Sequence, residues 1–382
     1  MWLRRLSRNV VGMMTRSMNL MMAASVAGLL GFYLLFATVP LYAATGGAGE
    51  FGAGAVTGVM MLATVLAELA VPWLLARLGY RAVLALGLVL LGLPALLLPV
   101  SAELPLVLGV SLLRGAGLGV LVVAGTALTA ELVPAGRRGE VLGLYGVAVG
   151  VPSIFGLPLG LWAGGAIGFT PVFVVAGLIP LAGLVAVLGL PHIAAAKPEP
   201  GERAAGMRGL MAPALIFAGV TTATGVLVTF LPLAGSPGLA SAALLTQSLT
   251  TPVARWLAGK FGDRHGSARL LVPGLLATVT GVALQVWVGS PVAVVAGMAV
   301  FGAGFGVLQN ATLVLMIERG PAARVSALWN LAYDAGMGVG AMGFGLVLGH
   351  TGYPLGFALV AVLMAVTLPL TRVRPAYAPL PR

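Results

Sequence analysis

Gly115-Ala-Gly-Leu-Gly-Val120 returns 187 residues later as Gly302-Ala-Gly-Phe-Gly-Val307, and the same shift aligns the residues beyond it. Glu131, Pro134, Ala135 and Arg137 fall on Glu318, Pro321, Ala322 and Arg324, and Gly156 falls on Gly343. A chain that repeats itself over this distance is built from two equivalent halves. Composition decides what the halves are made of. Of 382 residues 59% are hydrophobic and only 8% are charged, whereas a soluble domain carries about 25% charge. No water-facing surface of this size is possible, so the expected fold is an all-α polytopic membrane protein.

A membrane span needs about 20 apolar residues. Reading between Gly, Pro and charge breaks predicts helices at 18–43, 53–75, 81–100, 105–131, 139–161 and 170–190. A second set is predicted at 211–234, 238–258, 269–288, 292–317, 324–348 and 354–371. The polar stretch from Pro191 to Gly209 separates them, six and six. The expected organisation is an N-terminal bundle (1–190), a linker (191–210), a C-terminal bundle (211–371) and a tail (372–382). Six helices per half keep the duplicates in the same orientation, related by a pseudo-twofold axis along the membrane normal. In transporters built this way the substrate site lies between the halves near mid-bilayer.

Net charge is +11, and in a membrane chain its placement matters more than its size. Arg4, Arg5, Arg8 and Arg16 precede the first span, and Arg77 and Arg81 follow the second. Arg137 and Arg138, the linker, Arg255 to Arg269, Arg319 and Arg324, and the tail hold the rest. Only Arg114, inside helix 4, lies away from the cytoplasmic side, and the alternate loops carry no Lys or Arg. Basic residues stay on the cytoplasmic side, so both termini are expected in the cytoplasm of a bacterial inner membrane, with no nucleic-acid role and a monomer as the simplest assembly.

The chain contains no Cys, which excludes thiolate catalysis and zinc–thiolate sites. There is no GxxxxGK[ST], HExxH or GxSxG, and His192, His265 and His350 fall at loops. Neither ATP as a direct drive nor an intramembrane hydrolase is expected, and no cofactor or metal is implied.

Trp256 to Gly266 reads WLAGKFGDRHG, a Gly-bracketed acid–base cluster in a chain nearly free of charge. The 187-residue shift places it over Pro72 to Gly79, where Arg77 and Gly79 recur but Ala76 replaces the acid. Gly259-x-x-x-Asp263-Arg264-x-Gly266 resembles the loop signature of the major facilitator superfamily, which recurs after helices 2 and 8. Arg114-x-x-x-Leu118-Gly119, with Gly115 and Gly117, is similar to that family's second motif. Helix 5, with Gly143, Gly146, Gly150, Gly156, Pro158 and Gly160, resembles the motif of its antiporter branch, although Leu157 separates Gly156 from Pro158. The resemblance implies twelve transmembrane helices in two pseudo-symmetric six-helix bundles and secondary active transport by alternating access. It also implies that Asp263 latches onto the start of helix 5 near Gly136 to Gly139, an asymmetric latch because Ala76 has no counterpart role at helix 11.

Buried polarity supplies the candidate site. Asp334 lies about ten residues into helix 11, roughly 15 Å deep at 1.5 Å per residue, near the midplane of a core about 30 Å thick. A carboxyl there costs at least about 2.5 kcal/mol and commonly faces an aqueous cavity. Proton exchange or cation binding competes with a purely structural, hydrogen-bonded role. Glu68 and its repeat mate Arg255 exchange sign at matching positions; either they approach as a gate pair when the cytoplasmic side closes, or each is solvated from the cytoplasmic vestibule. For Arg114 three uses compete: an anion-binding fork, a partner that keeps Asp334 or Glu68 ionised, or a cation reaching for the interface. Gln309, Asn310 and Asn330 are expected at the cavity, with Phe32, Tyr33, Phe36 and Phe230 as aromatic walls. The function expected is proton-coupled antiport that exports a small amphipathic or hydrophobic molecule. The alternative is proton-coupled uptake of a sugar or organic acid.

Overall fold

The computed structural model describes residues 16–132, 138–191, 208–320 and 322–372. Arg4, Arg5 and Arg8, the segment from Pro134 to Arg137, most of the linker with Lys197 and Arg203, Pro321, and the tail beyond Arg372 lie outside them. Among the described residues every regular element is helical. The first group comprises α1 (Arg16–Phe36), α2 (Thr38–Ala43), α3 (Gly49–Gly92), α4 (Leu104–Glu131), α5 (Arg138–Ile167) and α6 (Phe169–Leu188). The second comprises α7 (Arg208–Ala234), α8 (Pro237–His265), α9 (Leu271–Ala283), α10 (Pro291–Ile317) and α11 (Ala322–Ala365). Among the described residues eight stretches are long and apolar enough to cross a membrane, the first of them the 85 residues Arg16–Val100.

A helix of 85 residues would extend well over roughly 100 Å, so that stretch must fold back on itself. It does so at glycines with positive φ, a conformation that other residues rarely adopt. Gly47 and Gly49 turn the chain into α3, Gly79 (φ 73, ψ 168) breaks α3, and Gly352 (φ 66, ψ 172) breaks α11 in the same way. Gly79 and Gly266 (φ 88) are the turn glycines of the two loop signatures. The helices overrun the expected boundaries. The first arm of α3 reaches Leu78 rather than residue 75, and α8 reaches His265 rather than residue 258. Lys260, Asp263 and Arg264 therefore ride on the last turns of a helix, not in a loop. Charge does not stop a helix once it leaves the apolar layer; the backbone turn at glycine does.

The internal repeat is visible in the packing. A Cβ added at Gly115 would strike the Met60 carbonyl, one at Gly117 would strike Gly87 and Leu91, and one at Gly119 would strike the Thr64 carbonyl. The second copy makes the matching contacts: Gly302 meets Gln247, Gly304 meets Gly274 and Thr278, and Gly306 meets the Thr251 carbonyl. The Gly-x-Gly-x-Gly face of α4 against α3 is thus copied by α10 against α8 and α9. Small residues that let backbones touch are how helices associate where lipid removes any hydrophobic preference.

One end of the bundle gathers the described chain ends: Gly189 packs on Leu20, Gly209 on Arg319, and Gly219 on Thr367. At the far end Gly46 meets Ala102, and the Tyr42 hydroxyl donates to Leu98 O at 2.9 Å. The two groups of helices join from the middle of the bundle to this far end. Gly54 on α3 would place a Cβ 2.5 Å from Ala341 O on α11, and Gly345 one 3.1 Å from Glu50 O. Thr57 and Thr229 hydroxyls pair at 2.8 Å, and Ser241 on α8 donates to Pro158 O on α5 at 2.7 Å.

Candidate functional site

Toward the terminal end from those contacts, the two helix groups hold a polar cluster. Glu68 lies on α3, where Gly119 of α4 makes room for it: a Cβ at 119 would stand 3.2 Å from Glu68 Cγ. Facing it across the boundary is Asp334 on α11, 9% exposed, and the two carboxyl groups lie within electrostatic range of each other. Two carboxyl groups placed this way can bond to each other only through a shared proton, because two bare carboxylates offer acceptors only. Tyr33 on α1 and Tyr333 on α11 lie within electrostatic range of Asp334, and Tyr333 also within range of Arg255 on α8. Arg255 is exposed and donates from Nη1 to Gln309 Oε1 at 3.5 Å. Asn330, half-buried, lies one turn before Asp334 on the same face of α11.

The gate pair of Glu68 and Arg255, expected only with the cytoplasmic side closed, is not formed in this arrangement. Glu68 turns to Asp334, and Arg255 turns to a neutral amide. Arg114 is also placed differently from a cavity residue. It is 1% exposed and donates to three backbone carbonyls, Leu91 O at 3.3 Å, Gly31 O at 3.1 Å and Phe32 O at 3.4 Å. Its position in the helix explains this. The α4 residue that meets Glu68 is Gly119, more than a turn away, while position 114 looks into the seam between α1 and α3. Among the described residues no carboxylate pairs with it; the carbonyls alone solvate the guanidinium.

The aromatic walls are likewise packed away. Phe32, Phe36 and Phe230 are 3%, 4% and 0% exposed. Phe32 stacks on Phe36 at 5.0 Å between ring centroids, and Phe230 packs on Phe344 at 4.8 Å. Of the four expected aromatics only Tyr33 reaches the cluster. Asn310 looks at α8 instead, where a Cβ at Gly259 would stand 3.4 Å from its Nδ2. Its Oδ1, like Gln247 Oε1, is buried without a partner. Tyr333 joins the cluster although no feature of the sequence singles it out. Adjacent helical residues point about 100° apart, so its neighbour Asp334 gives no reason to place both at one site.

The remaining candidates sit around this cluster. Gly156 and Gly160 on α5 press on α1, against Tyr33 and Leu34 respectively, and so fix the tyrosine's position. Pro158 contributes its carbonyl to Ser241, while Gly150 has open space beside it. At the terminal end Asp263 and Arg264 are exposed, and Asp263 has no partner among the described residues. Arg77 lies over the Trp73 ring at 4.5 Å and Lys260 over Trp256 at 3.6 Å, cation–π contacts that stiffen both helix ends. No group of three or more His, Asp or Glu able to hold a metal occurs among the described residues.

A search of curated protein sequences gives no match. Solved structures give many at the level of fold. A POT family transporter in complex with a thioalcohol-conjugated peptide has a TM-score of 0.78 at 14% identity, over 92% of this chain and 94% of that one. The nucleoside transporter NupG gives 0.69 at 18% identity, over 94% and 100%. The inward-open xylose transporter XylE from E. coli gives 0.74 at 15% identity, over 94% and 96%. The sequence model for the Major Facilitator Superfamily matches residues 21–340. By that match, by the fold and by the duplicated glycine packing, the chain belongs to the major facilitator superfamily of membrane transporters.

Proposed function

We propose that this transporter is a proton-coupled antiporter that exports a small amphipathic molecule by alternating access. The observation that carries the reading is the juxtaposition of Glu68 on α3 and Asp334 on α11, because it spans the boundary between the two helix groups. Twelve spans result if the chain crosses at each glycine break, giving bundles at 1–190 and 211–371 with linker 191–210 and tail 372–382. The basic residues then put both termini in the cytoplasm. The joined far end is periplasmic, the cluster opens inward, and the molecule stands in an inward-open state.

The chemistry derives from geometry. With a proton between them, Glu68 and Asp334 hold α3 and α11 together. Without it, two negative charges side by side repel. A proton taken up from the periplasm lets the groups close in the inward-open arrangement. Its release to the cytoplasm leaves the pair needing another positive group before the groups can move again. That requirement couples the two fluxes and blocks empty return. Asp263, free at the open end, forms its latch with the start of α5 only when that end shuts. Arg114 acts at a distance, by fixing α1 and α3 to α4.

Uptake is the second reading. It is favoured by the number of polar groups at the cluster, and by likeness to proteins solved as peptide, nucleoside and xylose transporters. Reconstituted vesicles with an imposed pH gradient separate the two, using panels of amphipathic compounds, sugars and organic acids. Exchange driven against an inward proton gradient supports export; movement with the protons supports uptake. If Asp334→Asn transports with undiminished proton coupling, the reading fails for either direction.

A further inference from the structure

The cluster contains a cation that the coupling step does not use. Arg255 lies on α8 beside the boundary, its side chain directed at Gln309 and within range of Tyr333. Its only hydrogen bond among the described residues is long, 3.5 Å, and runs to a neutral amide. No described carboxylate forms an ion pair with it. Tyr33, Tyr333 and Asn330 make no hydrogen bond to the protein among the described residues, and none of their polar atoms is sealed from solvent. Among the described residues the cluster thus offers one guanidinium without an ion-pair partner, two free phenol groups with their rings, one free amide, and a carboxyl pair.

We infer that the transported molecule is a zwitterion, with a carboxylate-class group held by Arg255 and a protonated amine held between Glu68 and Asp334. The inference rests on the coupling role proposed for the carboxyl pair. Charge matching decides the class. A purely cationic substrate meets Arg255 as a like charge, and a purely anionic one meets the deprotonated pair as a like charge. A neutral sugar makes no use of the charge of Arg255. A zwitterion satisfies both poles at once, and a guanidinium is shaped for a carboxylate, which it binds by two parallel hydrogen bonds. The ammonium also explains exchange, since it replaces the proton as the positive group that lets the two carboxylates stay together. Only a proton is exchanged: the carboxyl O–H breaks as its proton passes to cytoplasmic water, and the ammonium arrives in its place. The rings of Tyr33 and Tyr333 are placed to cover an apolar body between the poles.

Thermal unfolding of the purified full chain, followed by tryptophan fluorescence, reads binding as a rise in melting temperature. Two zwitterions of different charge separation, phenylalanine and phenylalanyl-alanine, are compared with their methyl esters, which keep only the amine, and their N-acetyl forms, which keep only the carboxylate. At least one zwitterion is expected to half-saturate at a concentration about tenfold or more below both of its single-charge relatives. Arg255→Gln is expected to bring the zwitterion down to the affinity of its ester, and Arg255→Lys to restore part of the difference. An ester that binds as well as the zwitterion overturns the inference, as does an unchanged ratio in Arg255→Gln, or no response to either zwitterion. The coupling role is judged separately, by dye-reported proton movement in Asp334→Asn vesicles. Undiminished coupling there removes that role, while loss of coupling without a zwitterion preference removes only the substrate class.

Discussion

Gly54→Ala tests whether the joined far end sets the balance between conformations. The added methyl carbon would stand 2.5 Å from Ala341 O and 3.3 Å from Gly345 Cα, both backbone atoms of α11. A carbon rests comfortably against a carbonyl oxygen at about 3.3–3.6 Å, so α3 and α11 must part by roughly 1 Å. Forcing an extra methyl into a packed contact costs about 1–3 kcal/mol. The strain exists only while the far end is closed, and alanine's helix preference is felt in both states, so the population shifts by about 5- to 150-fold. The absence of Cys makes the measurement clean. Spin labels on Phe51→Cys and His350→Cys, both at exposed positions beside this seam, report its opening by pulsed dipolar spectroscopy. A longer distance is expected to gain population in Gly54→Ala. Gly343→Ala, on the facing helix α11 with nothing within 4 Å, is the control and should leave the distribution alone. An unchanged distribution in monodisperse Gly54→Ala protein refutes the reasoning.

Other perturbations draw on the same contacts. Arg114→Lys cannot reach the carbonyls of α1 and α3 together and leaves a buried cation short of acceptors, at a cost of about 1.5–3 kcal/mol for each charged hydrogen bond lost, so thermal stability falls while proton coupling survives. Lost coupling at unchanged stability would show Arg114 to be a coupling residue after all. Gly266→Ala places a side chain at φ 88 and should cost about 1–2 kcal/mol, read as a lower unfolding temperature. Thr57→Val removes the Thr229 partner at 2.8 Å and should widen the same spin-label distance, less than Gly54→Ala does. At the far-end turn, burial first and Glu50 second push the Tyr353 hydroxyl up to about 12 from 10.0. The shift is upward, so its contribution to stability is complete below pH 10 and is lost as pH rises from 10 towards 12. Tyr353→Phe should remove that part of the alkaline destabilisation in a thermal melt.

What the chain reveals before folding depends on how local the signal is. Apolar length, the placement of basic residues and the 187-residue repeat are properties of the chain itself, and the helical membrane fold can be read from them. Gly79 and Gly266 are legible as turn glycines because a tight turn needs no knowledge of neighbours. The partners of buried charges are not legible, because they depend on which helix faces which. Arg114 points to a carboxylate on any reading of charge alone, yet backbone carbonyls of α1 and α3 claim it. Glu68 and Arg255 match by repeat position, but the repeat relates residues that occupy equivalent places, and equivalent places in two halves need not touch. Asp334 is identifiable by depth; that its partner is another acid requires α3 and α11 to be brought side by side.

The glycine faces of α4 and α10 carry a further consequence. Where a peptide oxygen of one rod rests directly on the α-carbon of the next, sliding is blocked, because any axial slip drives the oxygen into a bulkier neighbour. Each trio is consequently welded, and the working stroke must be a tilt of entire blocks about the thinner seams where hydroxyls and carboxyls meet. Substitutions that swell a weld should cripple assembly, whereas those that swell a seam should retime the stroke, so one alanine scan of glycines can sort scaffold from hinge.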